Sequence, residues 1–167
     1  MAKLYLLRHA KAGWAQPGMC DFDRPLDAAG REEAAMTGDV MRKCGYQPDL
    51  TLCSKARRAQ ETLEGIAGSL DTGRVILLEA LYTEDAAFYL ETVRAYGHFG
   101  SILVIGHNPM MEDLTLAISG DGEPGALDTL NHGFPTAGLA VLKFEGNLEE
   151  AGPGKGYLQA FLTPVSV

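Results

Sequence analysis

The chain predicts an α/β fold: a three-layer α/β/α sandwich around a largely parallel sheet with an antiparallel edge. Three observations carry this. Strand-like apolar runs alternate with amphipathic helical segments through the first 120 residues, the pattern of a sheet covered by helices on both faces. "SILVIG", 101–106, is continuously apolar, as a strand buried on both faces of a parallel sheet must be. "AGLAVLKF" and "GYLQAFL" follow one another with no helical segment between them, so those two strands are expected to pair antiparallel.

The elements follow in order. Lys3–Leu7 is the first strand. Residues 13–25, with Pro17, Gly18 and Pro25, form a loop. Leu26, Ala34, Ala35, Val40 and Met41 fall on one face of a helix from about Asp27 to Cys44, with Arg31, Glu32, Glu33, Arg42 and Lys43 opposite and Gly45 as its stop. "PDLTLCS", 48–54, is the second strand. "KARRAQETLEGIAGSL" has helical spacing through Ala59, Leu63, Ile66 and Leu70. "RVILLEALY", 74–82, gives a third strand ending near Glu79, and residues 86–97 give an amphipathic helix. After the fourth strand, 101–106, Pro109 opens a helix that runs to Gly120. A polar stretch, 120–135, separates it from the last two strands, which residues 146–156 connect. No repeat, linker or low-complexity tract interrupts residues 1–167, which are read as one domain.

The bulk numbers narrow the function. A length of 167 residues suits one sizeable core. A net charge of −8 argues against a nucleic-acid surface, which needs clustered basic charge. No apolar run approaches the roughly 18 residues of a membrane helix. "MAKLYLL" is too short and too strand-like for a signal peptide, so a cytoplasmic protein is expected. Cys20, Cys44 and Cys53 lack C-x-x-C spacing, which suggests neither a disulfide framework nor a zinc site. No carboxylate cluster or His-x-x-x-His spacing suits a metal, and no cofactor is expected.

In open parallel sheets ligands sit beyond the carboxyl ends of the strands. The first strand delivers Arg8 and His9 there. The second delivers Ser54, then Arg57 and Arg58 in the first turn of its helix. The third delivers Glu79. The fourth delivers His107 and Asn108 before the next helix. Arginines and a helix N-terminus suit an anion, and guanidinium forks match phosphate oxygens best. Two histidines add a nucleophile or a proton shuttle. "CSKARR" also places Cys53 near Arg58, but the segment is a residue short of a cysteine-phosphatase loop and carries no glycine.

These motifs match a known family. "LLRHAKAG" resembles the R-H-G/A signature of the histidine phosphatase superfamily, with its phosphoglycerate-mutase-like fold. "SKARRAQET" resembles its S-x-x-x-R-A-x-x-T segment, which puts the family arginine on Arg58 and not Arg57. "VIGHNP" resembles its second-histidine motif. "DFDRPLDAAGREEA" and "GFPTAGLAVLKF" resemble the small phosphohistidine phosphatases of the SixA type.

The resemblance implies a metal-independent hydrolase. His9 would attack phosphorus and become transiently phosphorylated. Arg8, Arg58 and His107 would hold the equatorial oxygens, with Asn108 and Ser54 as further substrate contacts. Glu79 stands where larger relatives carry an acid, and is the candidate proton donor. Arg57 reads as a solvated helix residue, His98 as a turn residue, and His132 lies in a loop that the family places near the pocket. The implied partner is a phosphorylated protein, such as a histidine-containing phosphotransfer domain. Two alternatives stand beside this: a small-molecule phosphomonoesterase or mutase on the same scaffold, and a non-catalytic phosphoprotein-binding module. A mutase must shield its phospho-His9 from water with lid segments, which suit a longer chain.

Overall fold

The computed structural model describes residues 1–164. Its sheet has seven strands, β1 (Ala2–Arg8), β2 (Leu50–Ser54), β3 (Arg74–Leu78), β4 (Ser101–Gly106), β5 (Ser119–Gly122), β6 (Leu139–Phe144) and β7 (Gly156–Leu162), in the order β3-β2-β4-β1-β6-β7-β5. β3, β2, β4 and β1 run parallel. β6 is antiparallel to both β1 and β7, and β5 pairs parallel with β7. The antiparallel pairing of the last two strands is therefore present. β6 itself is the reversed strand, and the short β5 lies outermost.

Among the described residues six α-helices accompany the sheet: α1 (Ala28–Cys44), α2 (Arg57–Ala67), α3 (Ala80–Thr83), α4 (Ala86–Ala95), α5 (Met110–Ile118) and α6 (Pro124–Asn131). Strand alternation sends side chains to two cores. Leu4, Leu6, Leu52, Ile102 and Val104 pack with Tyr89, Val93, Met111 and Leu130 of α4, α5 and α6. Tyr5, Leu7, Cys53, Leu103 and Ile105 pack on the other face with Met41, Ala59 and Ile66 of α1 and α2. The three-layer arrangement follows. Among the described residues no helix is long and apolar enough to cross a membrane.

Local chemistry sets the element ends. Asp27 is extended and accepts a hydrogen bond from Gly30 N, capping α1, while Gly45 closes it at φ 73°. The stretch 120–135, read from the sequence only as polar, contains part of β5 and all of α6. Pro124 stands in the first turn of α6, and Ala126 and Leu130 bury its inner face. The third strand stops at Leu78. This is one residue before the expected end near Glu79, and residues 80–83 turn into α3 and bury Leu81.

Register is what gathers the site. Arg8 pairs with Gly106 and Leu7 with Ile105 across β1 and β4. Cys53 pairs with the same Ile105 across β2 and β4. The residues that follow, His9, Ser54 and His107, therefore emerge side by side at the carboxyl edge of three adjacent strands. Gly106 is required there: a Cβ would stand 2.6 Å from the Tyr89 hydroxyl. That hydroxyl accepts a hydrogen bond from His107 N at 3.2 Å and donates one to the Leu81 carbonyl.

Candidate active site

Arg8, His9, Lys11, Ala12, Arg24, Arg58, His107, Asn108 and Thr136 line a cleft of about 310 Å³ at this edge. A larger depression, about 640 Å³, lies at the opposite end of the sheet among Met1, Asp121, Lys143, Glu145 and Lys155. It holds neither histidine nor arginine, so the chemistry belongs to the smaller cleft.

His9 is 8% exposed and its ring centroid lies 5.1 Å from that of His107. Its Nδ1 is 2.7 Å from the Ala10 carbonyl oxygen. A carbonyl can only accept, so Nδ1 carries the proton and Nε2 keeps a free lone pair. The backbone around it is pinned. His9 N donates to the Gly106 carbonyl at 3.0 Å. Ala10 N donates to Thr62 Oγ1 at 2.9 Å, and the Thr62 hydroxyl donates to the Arg58 carbonyl at 2.7 Å. Thr62, the final position of the S-x-x-x-R-A-x-x-T segment, thus ties α2 to the residue beside His9.

Both histidines are neutral at pH 7. Burial, then the Arg58, Arg8 and Arg24 charges, lowers His9 from 6.5 to about 4, against a raising contribution from the Ala10 hydrogen bond. Burial, then His9 and Arg58, lowers His107 to about 3.

Three arginines surround them. Arg8 Nη1 donates to the Phe134 carbonyl at 2.9 Å, while its buried Nε has no hydrogen-bond partner among the described residues. Arg58, 7% exposed, donates through Nη1 to the Asp21 carbonyl at 2.8 Å and through Nη2 to Asp21 Oδ2 at 3.0 Å. Arg24 donates through Nε to the Gly13 carbonyl at 3.0 Å and through Nη1 to Asp21 Oδ1 at 2.8 Å. Asp21 also accepts from the Tyr82 hydroxyl at 2.8 Å. Arg24, with Tyr82 and Arg58, holds its carboxyl far below the usual range. It is a permanent anion that orients two guanidinium groups, and it has no proton to give.

The other expected residues are sorted by the geometry. Asn108 lines the cleft, but its amide is engaged: Nδ2 donates to the Phe134 carbonyl at 2.9 Å, and Oδ1 accepts from Glu112 N at 3.2 Å. Ser54 is wholly buried and reaches the site through His107, with Oγ 2.8 Å from Nε2. Glu79 is exposed at the start of α3 and does not line the cleft. Tyr82, three residues on, comes closer to the site, with its ring 5.5 Å from that of His107. Arg57 is exposed and paired with Glu61 at 3.0 Å. His98 stacks on Phe99, and His132 faces a separate groove beside Phe134. Cys53 is buried and its thiol is pushed up to about 12, which removes it as a nucleophile.

Sequence reasoning missed Arg24, Asp21 and Tyr82. Arg24 and Asp21 lie in "DFDRPL", inside a loop whose base is closed by the Ala12–Leu26 bridge. The signal available was the resemblance of "DFDRPLDAAGREEA" to the SixA type, which marks the segment without assigning a role to any of its charges.

Comparison with known proteins gives the same answer as the geometry. Residues 4–84 match the model of the histidine phosphatase superfamily, branch 1. A protein from Agrobacterium tumefaciens, provisionally named phosphohistidine phosphatase SixA, is 36% identical, with a TM-score of 0.85 and 98% of each chain covered. One from Nakamurella multipartitia, provisionally given the same name, is 30% identical, with a TM-score of 0.82 and coverage of 98% of this chain and 96% of that one. An uncharacterized protein of Mycobacterium tuberculosis is 32% identical over 161 residues, 95% of this chain and 99% of its own. The chain belongs to the histidine phosphatase superfamily and is of the SixA type.

Two outcomes follow from the site. Arg58→Ala should lower kcat/KM on an aryl phosphate by 10²- to 10³-fold, roughly 3 to 4 kcal/mol of lost transition-state stabilisation. Arg57→Ala should change it little, because Arg57 points away to Glu61. Equal losses would contradict the placement. Second, NMR titration of the ligand-free protein should find His9 and His107 uncharged at pH 5.5. The unfolded chain takes up these protons below about 6.5 and the folded one only near 4 at His9 and near 3 at His107. Stability should therefore fall as pH drops through that window, by about 1.4 kcal/mol per pH unit for each histidine. A midpoint near 6.5 for either ring would contradict the burial argument.

Proposed function

We propose that the protein is a phosphohistidine phosphatase, which removes the phosphoryl group from a histidine of a partner protein through a phospho-His9 intermediate. One observation carries the choice of substrate: the cleft supplies a nucleophile and abundant positive charge, but among the described residues no carboxylate lines it. Asp21 beside it is held anionic by its arginines.

The steps follow from the atoms present. The His9 Nε2 lone pair attacks phosphorus in line as the bond from phosphorus to the substrate nitrogen breaks. Arg8, Arg24, Arg58 and His107 neutralise the equatorial oxygens, which is most of the work in phosphoryl transfer. A substrate imidazole protonated on its other nitrogen departs as a neutral ring, whose conjugate acid has a pKa near neutrality. It needs no proton from the enzyme. An alkoxide is far more basic and does. Water then displaces Nε2 from the phosphoryl group, releasing inorganic phosphate and restoring His9.

Two further features support a macromolecular substrate. The cleft is small and open, suited to a phosphorylated side chain presented from outside. Trp14, the only tryptophan of the chain, is 91% exposed two residues beyond Ala12 of the cleft lining. A buried nucleophile with its lone pair free argues against a module that only binds phosphoprotein.

Leaving-group chemistry tests the reading. Phosphohistidine in a phosphotransfer domain and p-nitrophenyl phosphate should both be turned over with EDTA present. Alkyl phosphates should be slower by the 10²- to 10⁴-fold that a missing general acid costs. Glu79→Gln should leave all three rates nearly unchanged. Comparable rates on alkyl phosphates would favour the small-molecule phosphomonoesterase.

A further inference from the structure

We infer that Ser54 is a positioning residue that fixes the tautomer of His107, making His107 a hydrogen-bond donor at Nδ1. The inference rests on the reading of the cleft as a phosphoryl site, and concerns how its second histidine is set.

The argument is a count of protons. Ser54 Oγ is fully buried and has two neighbours, Ala56 N at 3.1 Å and His107 Nε2 at 2.8 Å. Ala56 N–H can only donate, so it takes one lone pair of the hydroxyl. The hydroxyl proton then has a single acceptor within reach, His107 Nε2. Were Nε2 protonated instead, Oγ would accept twice, and both its own proton and the Nδ1 lone pair would be buried without a partner, whereas the Nδ1–H tautomer leaves a single unpartnered group, the Nδ1 donor. The hydroxyl therefore donates to Nε2, and the ring proton of neutral His107 resides on Nδ1.

Nδ1 is the ring's remaining polar atom. It is buried and has no hydrogen-bond partner among the described residues, as is Arg8 Nε in the same cleft. The two histidines thus carry the same tautomer for opposite ends. His9 spends its Nδ1 proton on the Ala10 carbonyl and keeps Nε2 as a nucleophile. His107 has Nε2 occupied by a serine proton and keeps Nδ1–H for an anionic oxygen. The opposite tautomer would turn a lone pair toward that oxygen and repel it. Strand register makes the device possible, because Ser54 ends β2 and His107 follows the paired strand β4.

Ser54 has no exposed surface and does not line the cleft, so it acts through His107 and not on the substrate. The test is long-range ¹H–¹⁵N correlation on the ¹⁵N-labelled, ligand-free protein at pH 7, with wild type, Ser54→Ala and Ser54→Thr. Wild-type His107 should show the Nδ1–H pattern. Ser54→Ala should shift it toward Nε2–H or a mixture, weaken vanadate binding, and lower kcat on p-nitrophenyl phosphate about tenfold or more. That loss should remain smaller than the 10²- to 10³-fold expected of His107→Ala. Ser54→Thr, which keeps the hydroxyl, should restore the Nδ1–H pattern. An Nε2–H pattern in wild type, or an unchanged pattern in a folded Ser54→Ala, would overturn the inference. Neither result depends on turnover, so failure here is distinct from failure of the phosphatase reading, which would appear as a wild type inactive on every phosphorylated substrate.

Discussion

Parallel pairing of β1 with β4 is the constraint on which the site depends. With Arg8 set against Gly106, the two catalytic-edge histidines leave neighbouring strands at the same height. A slip of one residue would invert every side chain of β1 between the two cores. Leu4 and Leu6 belong to one core, Tyr5 and Leu7 to the other. The packing that stabilises the domain is thus the same packing that fixes the distance between His9 and His107. β2 extends the arrangement by one strand and brings Ser54 and the start of α2 to the same edge.

Charge is organised against the average of the chain. The protein carries a net −8, yet three arginines and Lys11 converge on one small cleft. Asp21 makes this tolerable in the absence of an anion. It bridges Arg24, Arg58 and Tyr82, and separates the two guanidinium groups by accepting from both. Burial, reinforced by the same charges, keeps the histidines neutral well below their ordinary range. His9 is left with an uncharged Nε2 at neutral pH, and two buried polar atoms, Arg8 Nε and His107 Nδ1, have no hydrogen-bond partner among the described residues, an arrangement that suits an oxyanion. Binding of such an anion should stabilise the fold by mass action.

Much of this was legible in the sequence because it is local. The apolar runs, the Asp27 and Gly45 caps of α1, and the positions of Arg8, His9, Arg58 and His107 just after strands are all properties of short segments. What was illegible depends on contacts distant in sequence. β5 is "SGDG", with no strand propensity of its own. It exists because its backbone pairs with β7, and Gly120 lets Gly154 approach where a Cβ would stand 1.9 Å from its carbonyl oxygen. α6 hides in a stretch rich in Gly and Asp, and shows itself only through Pro124, Ala126 and Leu130. The sequence pointed to Glu79 at the end of the third strand and passed over Tyr82, three residues on. The turn from β3 into α3 leaves Glu79 outside and brings Tyr82 to Asp21, sixty-one residues earlier in the chain.

The central claim is that Nε2 of His9 carries the phosphoryl group. The most direct measurement is to quench the enzyme at alkaline pH during turnover of a phosphorylated histidine protein, and to locate the label by peptide mapping and by NMR of the modified ring. The account predicts acid-labile phosphate on His9, bonded to Nε2, and none in His9→Ala. Label on Nδ1 of His9, on Cys53, on Ser54 or on His107 would contradict it.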